Sequence, residues 1–126
     1  MSPIIELAGA VIQAVYVVPG ELCLGGYDAV LVVTQSQGTL WIEPLLDTEE
    51  LRLQLRAKDT LPGTNTEQPD WAAALLGKKI VGQWAGPNQQ GYDDLFALGL
   101  DAFVPTVLFT CISSQVQVGL VGYVKA

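Results

Sequence analysis

Histidine does not occur anywhere in the 126 residues of this chain. That gap removes Ser-His-Asp and Cys-His nucleophile systems, and zinc or iron sites built on imidazole. Charge is scarce too: 15% of residues are Asp, Glu, Lys or Arg, against about 25% in an average soluble chain. Cysteine is limited to Cys23 and Cys111, far apart and each among apolar neighbours. With no Cys-x-x-Cys pair, zinc binding and dithiol redox chemistry lack support, and two reduced core thiols are expected. The apolar runs are broken by Gln13, Gln35 and Gln83, and none reaches the roughly 18–20 residues that a membrane-spanning helix needs. Neither Gly-x-x-x-x-Gly-Lys-Ser/Thr nor Gly-x-Gly-x-x-Gly is present, so nucleotide binding through those loops has no basis. The opening Met1-Ser2-Pro3 carries no basic stretch ahead of the first apolar residues. No secretory signal and a cytoplasmic location are therefore expected.

Half of the residues are hydrophobic, and the length suits a single domain, 1–126, with a real core. Thirteen carboxylates against six Lys and Arg leave a formal charge of −7. Such a surface repels phosphate backbones and anionic lipid, which argues against nucleic-acid and membrane partners, and it suits a basic protein. High apolar content with so little charge also predicts a homodimer that hides part of the surface.

Two stretches of the chain read alike. Gly9, Ile12, Tyr16 and Pro19 match Gly77, Ile80, Trp84 and Pro87 at a constant offset. Gly26-Tyr27-Asp28 then matches Gly91-Tyr92-Asp93, and Leu51, Leu53 and Leu55 match Val116, Val118 and Leu120. Their order suggests an internal repeat, 9–55 and 77–120, around a polar loop 56–70. Within the first half, 11–18, 28–34, 39–46 and 51–55 have strand character, from β-branched content, alternation and bounding turn residues. The spacing of Leu7, Val11, Ala14 and Val18 also fits a helix, but the β-branched run ending at Pro19-Gly20 favours a strand. Within the second half the strands fall at 78–84, 94–100, 104–112 and 115–124. Asp70 is the expected N-cap of one short helix near 71–76, with Gly77 as its stop. Most connections are too short for a crossover helix, so the sheet should be largely antiparallel. The expectation is a β-rich α+β fold, barrel- or sandwich-like, of two pseudo-symmetric four-stranded halves.

Gly77-Lys78-Lys79, Trp84 and Asn88-Gln89-Gln90-Gly91-Tyr92-Asp93 together resemble a small uncharacterised family of bacterial proteins of similar length. Asp47-Thr48-Glu49-Glu50-Leu51 and Ser113-Ser114 are similar to that family's pattern as well. The resemblance implies bacterial origin and an overall fold. It carries no catalytic residue with it, because the family has no established activity.

Carboxylates are the remaining chemistry. Glu49-Glu50 with Asp47, and Asp93-Asp94, are the candidates for a hard cation or an acid/base pair, although no EF-hand spacing accompanies them. Exposed acidic turn ends explain the same letters more simply. Asp28 and Asp93, beside Tyr27 and Tyr92, suit a structural role in which each carboxylate accepts backbone N–H bonds at a turn. The best candidate binding loop is Trp84, Asn88, Gln89, Gln90, Tyr92 and Asp93, an aromatic-flanked turn whose amides both donate and accept. No catalytic, cofactor-binding or metal residue is assigned, and no cofactor is expected. The functional expectation is a non-enzymatic binding module, of the size and charge of immunity proteins that cap a basic partner. The alternative is a carboxylate-based enzyme, or a metal- or small-ligand-binding protein, using the Asn88–Asp94 loop.

Overall fold

Runs of β-branched and aromatic residues, punctuated by Pro-Gly, Gln-Gly and Ser-Ser turns, pair with their chain neighbours in a computed structural model of the protein. It describes residues 7–20, 26–45, 49–57, 66–87 and 93–121, with backbone alone at Pro87 and Asp93. Eight strands form one curled antiparallel sheet: β1 Ile12–Pro19, β2 Tyr27–Thr34, β3 Thr39–Leu45, β4 Glu50–Arg56, β5 Ile80–Pro87, β6 Asp93–Leu100, β7 Val107–Ile112 and β8 Gln115–Leu120. The order is β4-β3-β2-β8-β7-β6-β5, with β1 on the other side of β2. The β-rich, antiparallel, barrel-like expectation describes this architecture. Among the described residues no helix is long and apolar enough to cross a membrane.

The two meanders, β1–β4 and β5–β8, pair in the same register. β1 and β2 run from Ile12 opposite Thr34 to Pro19 opposite Tyr27, with irregularities after Ile12 and after Val18. β5 and β6 run from Ile80 opposite Leu100 to Pro87 opposite Asp93, with irregularities after Ile80 and after Gly86. Bulges increase local twist and bend a strand, so the two ladders curl at corresponding places. Asp93, not Tyr92, therefore takes the place of Tyr27, and the alignment of the two Gly-Tyr-Asp triplets is off by one residue. Four backbone bonds join the meanders at their first strands. Gly9 donates to Ile80 (2.8 Å) and Gly77 to Ile12 (2.9 Å), while Ile80 donates to Ala10 (2.7 Å) and Ile12 to Lys78 (2.9 Å). Each bond has its counterpart with the roles of the two meanders exchanged.

The inner faces of both meanders share one core, in which Val15, Val17, Val30, Val32, Leu40 and Ile42 meet Phe96, Leu98, Val107, Phe109 and Val116. The short helix departs from expectation. It is a 3-10 turn, Asp70–Ala74, with Pro69 at the N-cap position and no side-chain cap. Asp70 thus lies inside the first turn rather than capping it. With five residues and no capping bond, the segment is held by packing: Ala72 and Leu75 enter the core, and Trp71 packs on Tyr27. Trp71 Nε1 donates to the Tyr27 hydroxyl at 3.0 Å, which ties this connection to the start of β2. Gly77 ends the segment with φ +76°, as expected of the residue after a helix end.

Candidate functional site

Residues directly opposite in the ladders share a face, so the outer surfaces of the meanders can be compared row by row. In the first meander Tyr16, Leu31, Trp41 and Gln54 form one row. Leu31 and Trp41 are buried there beneath Tyr16 and Val18. Arg56 lies over the Trp41 ring at 4.0 Å, while its guanidinium also bonds Gln54 and stands 3.6 Å from Glu43 Oε1. This face closes over itself.

The corresponding row of the second meander is Trp84, Ala97, Leu108 and Gly119, with smaller side chains in three of its four places. Beside it, Gly82 pairs with Gly99. A Cβ on Gly82 would come 2.8 Å from Trp84 and 3.0 Å from Phe103, and one on Gly99 would come 2.7 Å from the Val104 carbonyl. The two glycines form a floor on which Trp84 and Phe103 rest, ring centroids 5.1 Å apart and tilted by 60°. Phe103 is nevertheless 70% exposed, and Leu95, Val104 and Val121 are exposed beside this face. Leu100, Ala102, Val104 and Thr106 line an adjoining apolar hollow of about 430 Å³.

The turn that carries Phe103 is built by polar anchors at its ends. Asp101 donates its N–H to Lys79 O at 2.8 Å, and its Oδ1 accepts the Lys79 N–H at 2.9 Å. The Lys79 N–H bond holds the Asp101 carboxyl below the usual range, with lesser help from the Lys78 charge. Thr106 Oγ1 accepts the Leu100 N–H at 3.1 Å and donates to Val104 O at 3.2 Å. Sequence reasoning places a strand from Val104, because Phe103-Val104-Pro105 is apolar. The loop bonds and Pro105, which has no N–H to donate, delay β7 until Val107. The exposed aromatic was missed for that reason: apolar letters read as core.

A second concavity, of about 280 Å³, is lined by Asp28, Glu43, Pro44 and Ser114. Glu49 lies behind it with φ +58° at the β3–β4 turn. Its Oε2 accepts the Ser114 N–H at 2.8 Å and its Oε1 accepts the Ser114 Oγ–H at 2.7 Å. These bonds, the hydroxyl's first, hold the Glu49 carboxyl below its ordinary pKa. The buried Cys111 thiol stands 3.9 Å from Glu49 Oε2. Burial first, then the charges of Glu49 and Asp94, push the Cys111 pKa up to about 11. The thiol is therefore protonated at neutral pH and is a poor nucleophile.

Residues 1–125 match the model of a protein family described as a family of unknown function, DUF6334. The chain belongs to that family. No curated protein and no solved structure matches the chain. The DUF6334 match agrees with the resemblance to an uncharacterised family and adds no activity to it.

Of the candidate loop in this DUF6334 chain, Trp84 is placed on the glycine floor, while Asn88, Gln89, Gln90 and Tyr92 lie outside the described residues. Asp93 is placed by its backbone, opposite Pro87. Asp47 and Cys23 are likewise outside the described residues. Asp28 is exposed and lines the acidic hollow. No hydrogen bond to its carboxylate is found among the described residues, so the turn-fixing role expected of it is not seen. Glu49 binds Ser114 rather than standing free for a cation, and among the described residues no group of three or more Cys, Asp and Glu could hold a metal ion.

The lowered pKa of Glu49 has a pH signature. A carboxylate depressed in the folded state contributes stability that is present above its unfolded pKa and is lost as pH falls through the folded value. Glu49→Gln is expected to cost about 1 kcal/mol at neutral pH, discounted for solvent exposure. The gap to the wild type should close as pH drops below the ordinary glutamate range. Urea unfolding at neutral and acid pH checks it; a gap that stays constant with pH would show that the carboxylate charge plays no part.

Proposed function

We propose that this chain is a non-enzymatic protein-interaction module that binds through the outer face of its second meander. The observation that carries the reading is the Trp84–Phe103 pair seated on Gly82 and Gly99, with Phe103 largely in water. Aromatic side chains at the centre of an apolar patch are the usual anchors of protein interfaces. Core packing does not account for Phe103, since most of its surface is solvated, while the same face of the first meander is closed by Tyr16, Trp41 and Arg56. Phe103→Ser is expected to abolish co-purification of a stoichiometric partner from cells of the source organism. Its urea unfolding should move by no more than about 1 kcal/mol. Equal recovery by the variant and the wild type would sink the reading.

The acidic hollow favours a second reading, in which the chain caps a basic partner as immunity proteins do. Asp28, Glu43 and Ser114 present acceptors there, and the chain carries a net charge of −7. Asp28→Asn separates the two. Loss of the partner with Asp28→Asn, but not with Phe103→Ser, would move the interface from the aromatic face to the hollow.

A further inference from the structure

The geometry points to a strand-pairing site on the outer edge of β5, where a second copy of this chain adds antiparallel at Ala85. This rests on the interaction-module reading and names its partner. The first meander supplies the template. There the edge of β1 is taken by the connection between the meanders: Val17 donates to Glu67 O at 2.8 Å and accepts from Glu67 N–H at 2.9 Å, in an antiparallel bridge. Val17 lies opposite Val30, and Ala85 lies opposite Phe96, at the same step between the same two irregularities. The Ala85 N–H and C=O therefore point away from β6, as those of Val17 point away from β2. Among the described residues none takes the place of Glu67 at Ala85, and the Ala85 side chain is exposed.

Two features select a second copy as the occupant. Ile80 to Pro87 contains no charged residue, but Lys78 and Lys79 stand before its start, and Asp93 and Asp94 stand at the β6 end beside its finish. Antiparallel pairing of β5 with itself sets the lysine end of each copy against the aspartate end of the other, which favours that orientation over a parallel one. The second feature is fit. With Ala85 opposite Ala85 of the second copy, Trp84 lies across from that copy's Gly86, and the reverse contact forms by symmetry. A Cβ on Gly86 would meet only the Leu95 side chain, at an ordinary 3.7 Å, so the space above it is open to an indole. An aromatic lying over a glycine on the neighbouring strand is a known way of stabilising such a pair. The exposed Phe103 would then extend the apolar surface of the joint, and closure across a two-fold axis leaves no open edge at β5 for a third copy.

Sedimentation equilibrium across a concentration series tests this, with Gly86→Lys and Ala85→Pro beside the wild type. Gly86→Lys adds a charge where the monomer has room for it. Ala85→Pro removes the outward N–H while sparing the ladder to β6. The wild type is expected to be a dimer that dissociates in the micromolar range, and each variant should weaken it by about tenfold or more. Amide exchange at Ala85 should slow at dimer concentrations and be fast in the dilute monomer. A wild type that stays monomeric, variants that dimerise as it does, or an Ala85 amide protected in the monomer would each overturn the inference. If the wild type is monomeric and Phe103→Ser still loses a co-purified protein, the self-pairing fails while the interaction-module reading stands.

Discussion

Phe109→Ala is expected to lower the free energy of unfolding by about 3–5 kcal/mol. Phe109 is the largest of the fully buried side chains. It sits in the middle of β7, with Phe96 opposite on β6 and Val118 opposite on β8. The Phe96 and Phe109 rings are stacked, centroids 6.1 Å apart. Truncation removes both the transfer term and the contacts of the stacked ring, and a cavity walled by three paired strands cannot collapse without shifting a ladder. Domains of this size are typically stable by about 5–15 kcal/mol, so the variant would sit near the limit of folding. Phe109→Leu, which keeps more of the volume, should cost roughly half as much or less. Urea midpoints at constant m-value measure both; similar losses for Ala and Leu would mean that the stack, rather than the volume, is what matters.

Gly38→Ala should be nearly as damaging, by about 2–4 kcal/mol, although it adds a single methyl group. Gly38 closes the β2–β3 hairpin with φ +93°, and a Cβ there would lie 2.5 Å from the Arg56 carbonyl oxygen. Two costs therefore combine: the left-handed backbone that L-residues avoid, and a collision with backbone that cannot rotate away. The same glycine carbonyl accepts the Thr34 N–H at 3.0 Å and the Thr34 Oγ1–H at 2.7 Å, so a shift of the turn would break the hairpin's own bonds. Gly77→Ala provides the control. Its φ is +76°, but nothing lies within 4 Å of the added Cβ, so only the conformational cost of about 1 kcal/mol applies. Equal losses at the two sites would show that φ, and not the Arg56 carbonyl, sets the cost at Gly38.

The strands were legible because their signal is local. The Val-rich stretch before Pro19-Gly20 and the alternation of Leu51, Leu53 and Leu55 report a pleated, half-buried surface with no help from the rest of the chain. What depends on one extra residue was not legible. The irregularity after Gly86 shifts the β5–β6 ladder by one position, so letters that align Tyr27 with Tyr92 describe places that the backbone does not equate. Asp70 was misplaced by a similar margin, because a cap is defined by φ and ψ and Pro69 supplies the extended geometry. The aromatic face was hidden for a different reason. Trp84 was singled out as part of a loop, but its companion Phe103 comes from another turn, and no spacing rule joins residues brought together by a glycine floor. Glu49 and Ser114 were each noticed in the sequence, yet their bond spans most of the chain and has no local signature.

The four exchanged bonds between 9–12 and 77–80 bear on the order in which the chain folds. Nearly every other ladder joins strands consecutive in sequence, so each meander can zip up over short loops at little entropic cost. The join between them closes a loop more than half the length of the chain, and its bonds gain nothing until both first strands exist. Local pairing should thus precede it on the route to the native state, with the join absent from the rate-limiting barrier. Substitutions at Ala10 or Ile12 would then act chiefly by hastening unfolding, and the lifetime of the folded chain, more than its speed of formation, is set at that seam.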